Sequence, residues 1–227
     1  MRVAVLATGG KDSTLALHRV LNEGHDVKCL VSMIPQKEDS WMFHYPNMHL
    51  MGLFAEAVGI PLVKAETSGV KEEEIEDLKH VIEKLNVEGV VSGAIASTYQ
   101  KTRIEKLCEQ LKLECLAPLW HQNPVEMLKE ILELGFETII TGVSAYGFSE
   151  EWLGRRIDEA AFADLVGLNK RYGISVVGEG GEYETLVLDA PFFRKRLKII
   201  EAEKVWKGQS GYYLITKAEL EPKHTTT

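Results

Sequence analysis

Short apolar, β-branched runs alternate with amphipathic stretches of about 10 to 15 residues through the first 116 positions, and this rhythm restricts the chain to an α/β architecture. Residues 3–6 form the first such run. It ends at Gly9 and Gly10, and Leu15, Leu17, Val20 and Leu21 follow at helical spacing, with Gly24 as a stop. Residues 27–33, 61–65, 89–94 and 113–116 read as four further strands, and 34–45 as an irregular segment holding Pro35. Helices are expected over 46–58, opened by Pro46 and stopped by Gly59, over 72–85 and over 98–111. Strands separated by helices form βαβ units. Their right-handed crossovers give a parallel sheet with helices on both faces.

Pro118, Leu119 and Trp120 break the rhythm and mark a boundary between a domain over 1–120 and a second, smaller α/β domain over 121–220. In the second, Asn123 is placed to cap a helix over 124–134. A strand over 136–143, a helix over 158–171 and a strand over 174–177 follow. Residues 197–205 and 212–220 flank Lys207-Gly208-Gln209-Ser210-Gly211 as a closing hairpin. Residues 221–227 lack periodicity and read as a disordered tail.

Composition bounds the function. Of 227 residues, 45% are apolar, enough for a core, yet no stretch approaches the roughly 20 apolar residues of a membrane helix. The N-terminal apolar run is too short for a signal peptide. A cytoplasmic protein with no membrane partner is expected. The net charge of −8 disfavours nonspecific nucleic-acid binding, and the clusters Lys170-Arg171 and Arg194-Lys195-Arg196 read as solvated surface. The three cysteines form no CxxC, which excludes a zinc knuckle or thioredoxin-like pair; they read as small core residues.

The segment Ala7-Thr8-Gly9-Gly10-Lys11-Asp12-Ser13-Thr14 leaves a strand and opens a helix. Glycines let the backbone approach an oxyanion, and the helix N-terminus presents unpaired N–H groups and partial positive charge. Lys11 adds a cation, Thr8 and Ser13 add hydroxyls, and Asp12 fits a Mg²⁺ ion or a loop-orienting role. The turn is not a Walker loop, because Val5 and Asp12 stand where glycine and Ser or Thr are needed. Nor is it a dinucleotide fingerprint. Gly178-Glu179-Gly180 also fails that pattern, at Tyr183.

Ligands of a parallel sheet collect at the carboxyl ends of its strands. Gly93, Ser97, Tyr99, Gln100 and Arg103 therefore belong to the same rim as the turn. Arg103 suits a bidentate phosphate or carboxylate contact, or is a plain helix-surface charge. Gly178-Glu179-Gly180-Gly181-Glu182-Tyr183-Glu184-Thr185 gathers three carboxylates and a phenol after the expected strand 174–177. If extended, it puts Glu182 and Glu184 on one face and Tyr183 on the other. This segment reads as a binder of a cation or metal, or as a glycine turn with solvated acids.

Thr8-Gly9-Gly10-Lys11-Asp12-Ser13 resembles the SGGKDS motif of PP-loop ATP pyrophosphatases, with Thr8 replacing the usual serine. Further in-order elements are similar to the diphthine–ammonia ligase family in its short archaeal-like form. They are residues 42–47 (MFHYPN), 92–100 (SGAIASTYQ), 118–120 (PLW) and 178–185 (GEGGEYET). The resemblance implies a PP-loop, HUP-like fold of the adenine nucleotide alpha hydrolase type. It also implies a reaction, in which the carboxylate of diphthine on translation elongation factor two attacks ATP, pyrophosphate leaves, and ammonium converts the acyl-adenylate to diphthamide and AMP. ATP and Mg²⁺ are the implied cofactors, with Lys11 and Asp12 catalytic and Asp12 on the metal. Thr8, Gly9, Gly10, Lys11, Asp12, Ser13, Ser32, Met33 and Gly93 would bind nucleotide. His44, Asn47, Ser97, Tyr99, Gln100, Arg103 and the run Glu179, Gly180, Gly181, Glu182, Tyr183, Glu184 would bind substrate. His44 also reads as a structural histidine. Glu182, Glu184 and Tyr183 would attract the trimethylammonium group of diphthine by charge and cation–π contact. No cysteine has the setting of a glutaminase nucleophile, so free ammonium is the expected nitrogen source. The sequence leaves the oligomeric state open, with a homodimer as one option. Two other readings are a PP-loop tRNA-modifying enzyme and a non-catalytic ATP or AMP sensor. Missing CxxC pairs and acidity oppose the first; Lys11 and Asp12 oppose the second, since a sensor needs no grip on a leaving pyrophosphate.

Overall fold

The computed structural model describes residues 1–35, 47–67 and 71–223. The chain folds as two compact units, Met1–His121 and Gln122–Thr227. The first holds a five-stranded parallel sheet ordered β3-β2-β1-β4-β5, formed by β1 (Arg2–Leu6), β2 (Asp26–Pro35), β3 (Leu62–Thr67), β4 (Gly89–Val91) and β5 (Glu114–Leu116). Between them run α1 (Lys11–Asn22), α2 (Met51–Val58), α3 (Lys71–Ile82) and α4 (Thr98–Leu111). A 3-10 turn, Asn47–Leu50, precedes α2, so the helix starts later than Pro46 suggests; Pro46 itself lies outside the described residues. Gly59 ends α2 in the left-handed conformation, φ 78°.

Connections from β1 through β3 step one way across the sheet, and β4 returns to the other side of β1. Right-handed crossovers then put helices on both faces, which buries Val3, Ala4 and Val5 completely. One face joins Ala4, Cys29, Val31, Met33 and Val90 to Leu78 and Ile82 of α3 and to Ile104, Leu107 and Cys108 of α4. In α1 the buried side includes Leu15, Leu17 and Val20. Burial pushes the Cys29 thiol up. A hydrogen bond with Cys115, together with burial, raises Cys108, and the same bond lowers Cys115. The reversal of direction at β1 and β4 leaves a crevice at their carboxyl ends, the place where such sheets bind ligands.

The second unit has an antiparallel sheet ordered β7-β6-β9-β8, from β6 (Glu137–Val143), β7 (Tyr183–Asp189), β8 (Lys195–Lys207) and β9 (Ser210–Pro222), with α5 (Pro124–Glu133) and α6 (Glu159–Tyr172). Asn123 caps α5, its Oδ1 accepting from the N–H groups of Val125 at 2.9 Å and Glu126 at 3.2 Å. Asp158 caps α6 through Ala161 N–H at 2.8 Å. The expected strand 174–177 is absent. Ile174, Val176 and Val177 are buried in a turn, and a buried apolar run in a turn looks like a strand when only its composition is read. The expected tail also begins too early. Glu221 and Pro222 belong to β9, Glu221 accepts from Arg196 at 2.7 Å, and Lys223 pairs with Asp189 at 2.9 Å. No helix among the described residues is long and apolar enough to cross a membrane.

Candidate active site

The turn between β1 and α1 is built from its own residues. Gly9 takes φ 77°, a conformation side chains resist. Thr8 N–H donates to Ser13 Oγ at 3.3 Å, and the two hydroxyls lie 3.3 Å apart. Gly10 N–H donates to Thr8 Oγ1 at 3.4 Å, while Ser13 and Thr14 hydroxyls donate to Gly10 O at 3.2 and 2.7 Å. Gly10 is the N-cap of α1, and no side chain caps it. A phosphate oxygen fits the N–H groups of such a helix start and their partial charge. Lys11, 2% exposed, donates to Asp12 Oδ1 at 3.0 Å and Oδ2 at 2.9 Å. The carboxylate holds a buried cation at the mouth of the helix.

Gly93, in the loop after β4, seats on this turn. A Cβ there would lie 2.9 Å from Ser13 N, 3.0 Å from Asp12 C and 3.1 Å from Ser13 Cα. Only glycine permits that approach, and it joins two segments that are far apart in sequence at the crevice. Ser32, on β2, is 1% exposed, and its Oγ has no hydrogen-bond partner among the described residues. Met33 follows on the same strand. Its side chain is in the core cluster, so only its backbone remains for a nucleotide. Ser97 caps α4, its Oγ accepting from Gln100 N–H at 3.4 Å. One turn on, Arg103 Nη1 donates to Tyr99 OH at 2.7 Å, with the guanidinium 5.0 Å from the ring centroid. Asn47 opens the 3-10 turn. His44 lies outside the described residues.

The acidic segment of the second unit precedes strand β7. Gly178 (φ 70°) and Gly181 (φ 82°) bracket a turn closed by Gly181 N–H to Gly178 O at 3.1 Å. Glu179 N–H donates to Ser175 Oγ at 3.4 Å, and Gly180 is at the exposed tip. Ser144, just after β6, fastens the turn, its N–H reaching Glu182 O at 2.9 Å and its hydroxyl reaching Gly181 O. Glu182 Oε1 accepts from Ser175 N–H at 2.8 Å, so this carboxylate is a clasp for the loop. Glu184 pairs with Gly142 across the β6–β7 ladder. Tyr183 contradicts the cation–π assignment. It is 2% exposed, and its hydroxyl donates to Val176 O at 2.7 Å. A ring closed off by the core cannot present a face to a cation. Tyr183→Phe is expected to cost about 1–2 kcal/mol, because Val176 O loses its donor, with a matching drop in melting temperature. Unchanged stability would place the hydroxyl elsewhere. Sequence reasoning missed Ser144 and Ser175, which carry no motif and whose contacts to Gly181 O and the Glu182 carboxylate span 37 and 7 residues.

Comparison with known proteins follows the same two-part layout. Residues 1–115 match the model of the diphthamide synthase N-terminal domain, and residues 123–220 match that of the diphthamide synthase C-terminal domain. A diphthine–ammonia ligase of Rattus norvegicus is 36% identical over 99% of this chain and 92% of its own length. One of Homo sapiens is 36% identical over 90% of this chain and 85% of its own. A solved structure described as "predicted subunit of tRNA methyltransferase" from Methanocaldococcus jannaschii DSM shares 15% identity, with a TM-score of 0.49, over 84% of this chain and 97% of its own, a likeness too loose to bear on function. Both models match in chain order, and these relatives align along nearly their whole length: the chain belongs to the diphthamide synthase family.

Proposed function

We infer that this chain is an ATP-dependent diphthine–ammonia ligase. The observation that carries the reading is the uncapped N-terminus of α1, with Lys11 buried beside it and Gly93 seated against it, in a member of this family. ATP supplies activation of the diphthine carboxylate as an acyl-adenylate, from which ammonium displaces AMP after pyrophosphate has left. The chain's own groups bind and orient. The amides of Gly9, Gly10 and the first turn of α1 hold the outer phosphates, with Lys11 and the hydroxyls of Thr8 and Ser13. Two anions must meet for this reaction, and the helix end and Lys11 offset their repulsion. Asp12, 30% exposed at its side chain, is the carboxylate that would hold Mg²⁺. Ser32 and the backbone of Met33 take the nucleoside end, and Gly93 keeps the loop after β4 against the phosphates.

Ser97, Tyr99, Gln100 and Arg103 orient the carboxylate to be activated, with Asn47 and His44 on the same substrate. Glu179, Gly180, Gly181, Glu182 and Glu184 form an acidic turn for the trimethylammonium-bearing part of diphthine, and Tyr183 supports that turn from within. We further place the enzyme in the cytoplasm as a homodimer that uses free ammonium and no nucleic acid. Incubation with ATP, ammonium and diphthine-bearing elongation factor two should produce AMP and a mass change matching conversion of a carboxylate to an amide. Formation of ADP instead of AMP would reject adenylation.

A further inference from the structure

The last turn of α1 is tied to the rim loop by a route that uses none of the phosphate-binding residues. Arg19 Nη1 donates to Pro118 O at 2.8 Å. Pro118 begins a tight turn in which Trp120 N–H reaches Ala117 O at 3.0 Å and Leu119 is fully buried. His121 N–H then donates to Ile95 O at 2.7 Å, with its ring stacked on Trp120 at 4.5 Å and Lys101 of α4 over the indole at 4.8 Å. Ile95 lies in the loop whose Gly93 presses on the first turn of α1. The contacts close a ring: α1 start, Gly93, Ile95, His121, Pro118, Arg19, α1 end.

We propose that Arg19 is a positioning residue for the ligase reaction, holding the 92–97 loop and the start of α4 in register with the phosphate-binding end of α1. This rests on the ligase reading for its kinetic consequence. A guanidinium on a carbonyl is a charge-assisted bond with fixed direction. Its loss frees the Pro118–His121 turn, then Ile95, and then the helix start that bears Ser97, Tyr99 and Arg103. The hydrogen bonds among Thr8, Gly10, Ser13 and Thr14 do not run through Arg19 and stay. The route enters the loop at Ile95, while Gly93 is seated on Ser13 and Asp12 by its own packing, so the defect falls beyond Gly93, on the acceptor side, and spares ATP binding.

The test uses the full chain with Arg19→Ala and Arg19→Lys. For Arg19→Ala the KM for diphthine-bearing elongation factor two should rise about tenfold, within the roughly 100-fold loss that a 1 Å misplacement can cause. The ATP dissociation constant, by calorimetry, should stay within about twofold. Amide hydrogen exchange should quicken in residues 93–97 and 117–121 ahead of the rest. Added guanidinium should lower the KM again, and Arg19→Lys, which keeps a charge but not the fork, should fall between. If Arg19→Ala does not fold, Arg19→Lys carries the same comparison. An unmoved KM, or uniformly faster exchange with no response to guanidinium, overturns the proposal. Absence of AMP formation by the wild-type chain sinks the ligase reading alone, and local exchange then decides on Arg19 by itself.

Discussion

Lys11→Met should lower AMP formation by about 100- to 1000-fold, the range seen when one preorganised donor to developing charge is removed. Lys11 is the first residue of α1, is 2% exposed, and sits where the helix end already attracts anions. Its charge is least screened there, since water is excluded. Methionine keeps the apolar stem and removes only the cation. Asp12 loses its ion pair but keeps 30% of its side chain exposed, so water can solvate it and the melting temperature should change little. The reverse variant separates charge from stability. Asp12→Asn withdraws a carboxylate from a buried cation, a change that costs about 3–5 kcal/mol when such a pair is broken. Rapid quench with AMP quantified by chromatography, beside thermal denaturation, reads both effects. Wild-type turnover by Lys11→Met would put the phosphates somewhere other than this turn.

Gly93→Ala is the second large effect, and it is steric. Its Cβ would meet Ser13 N at 2.9 Å and Asp12 C at 3.0 Å, both backbone atoms that cannot rotate away. Either the contact is compressed, at about 1–3 kcal/mol, or the loop after β4 lifts from the phosphate turn. A misplacement of about 1 Å at a reacting centre can cost roughly 100-fold, so a lifted loop should lower kcat/KM by about 10- to 100-fold. Gly52→Ala in α2 is the control, for a Cβ there meets nothing within 4 Å. Alanine is the better helix former, so that variant should gain up to about 1 kcal/mol with unchanged turnover. Equal behaviour of the two variants, measured by steady-state AMP release and thermal melts, would mean that the approach of Gly93 to α1 does not matter.

Much of the site is readable one segment at a time. The phosphate turn lies within seven consecutive residues, and each acts through local physics: positive φ at Gly9, an uncapped helix start at Gly10, a lysine on its first turn. The caps at Asn123 and Asp158, the glycine stop at Gly59 and the closing hairpin are local in the same sense. Errors arose where burial decides. Tyr183 looks like a ligand contact beside three carboxylates, yet the tertiary fold closes over its ring. Met33 lies in β2, and strand alternation turns its side chain to the α3 and α4 face, which composition alone does not reveal. Residues 174–177 have the composition of a strand and are held as a turn by left-handed Gly178.

The sequence by itself determined that a parallel α/β unit with an anion-binding helix start would form, because periodicity and glycine placement act over a few neighbouring residues. Only the tertiary structure decided that Gly93 meets Ser13, that Arg19 reaches Pro118 across 99 positions, and that Tyr183 is core. An apolar stripe states which side of an element turns inward; what it meets there depends on crossover direction and strand order, and these are properties of the assembled sheet.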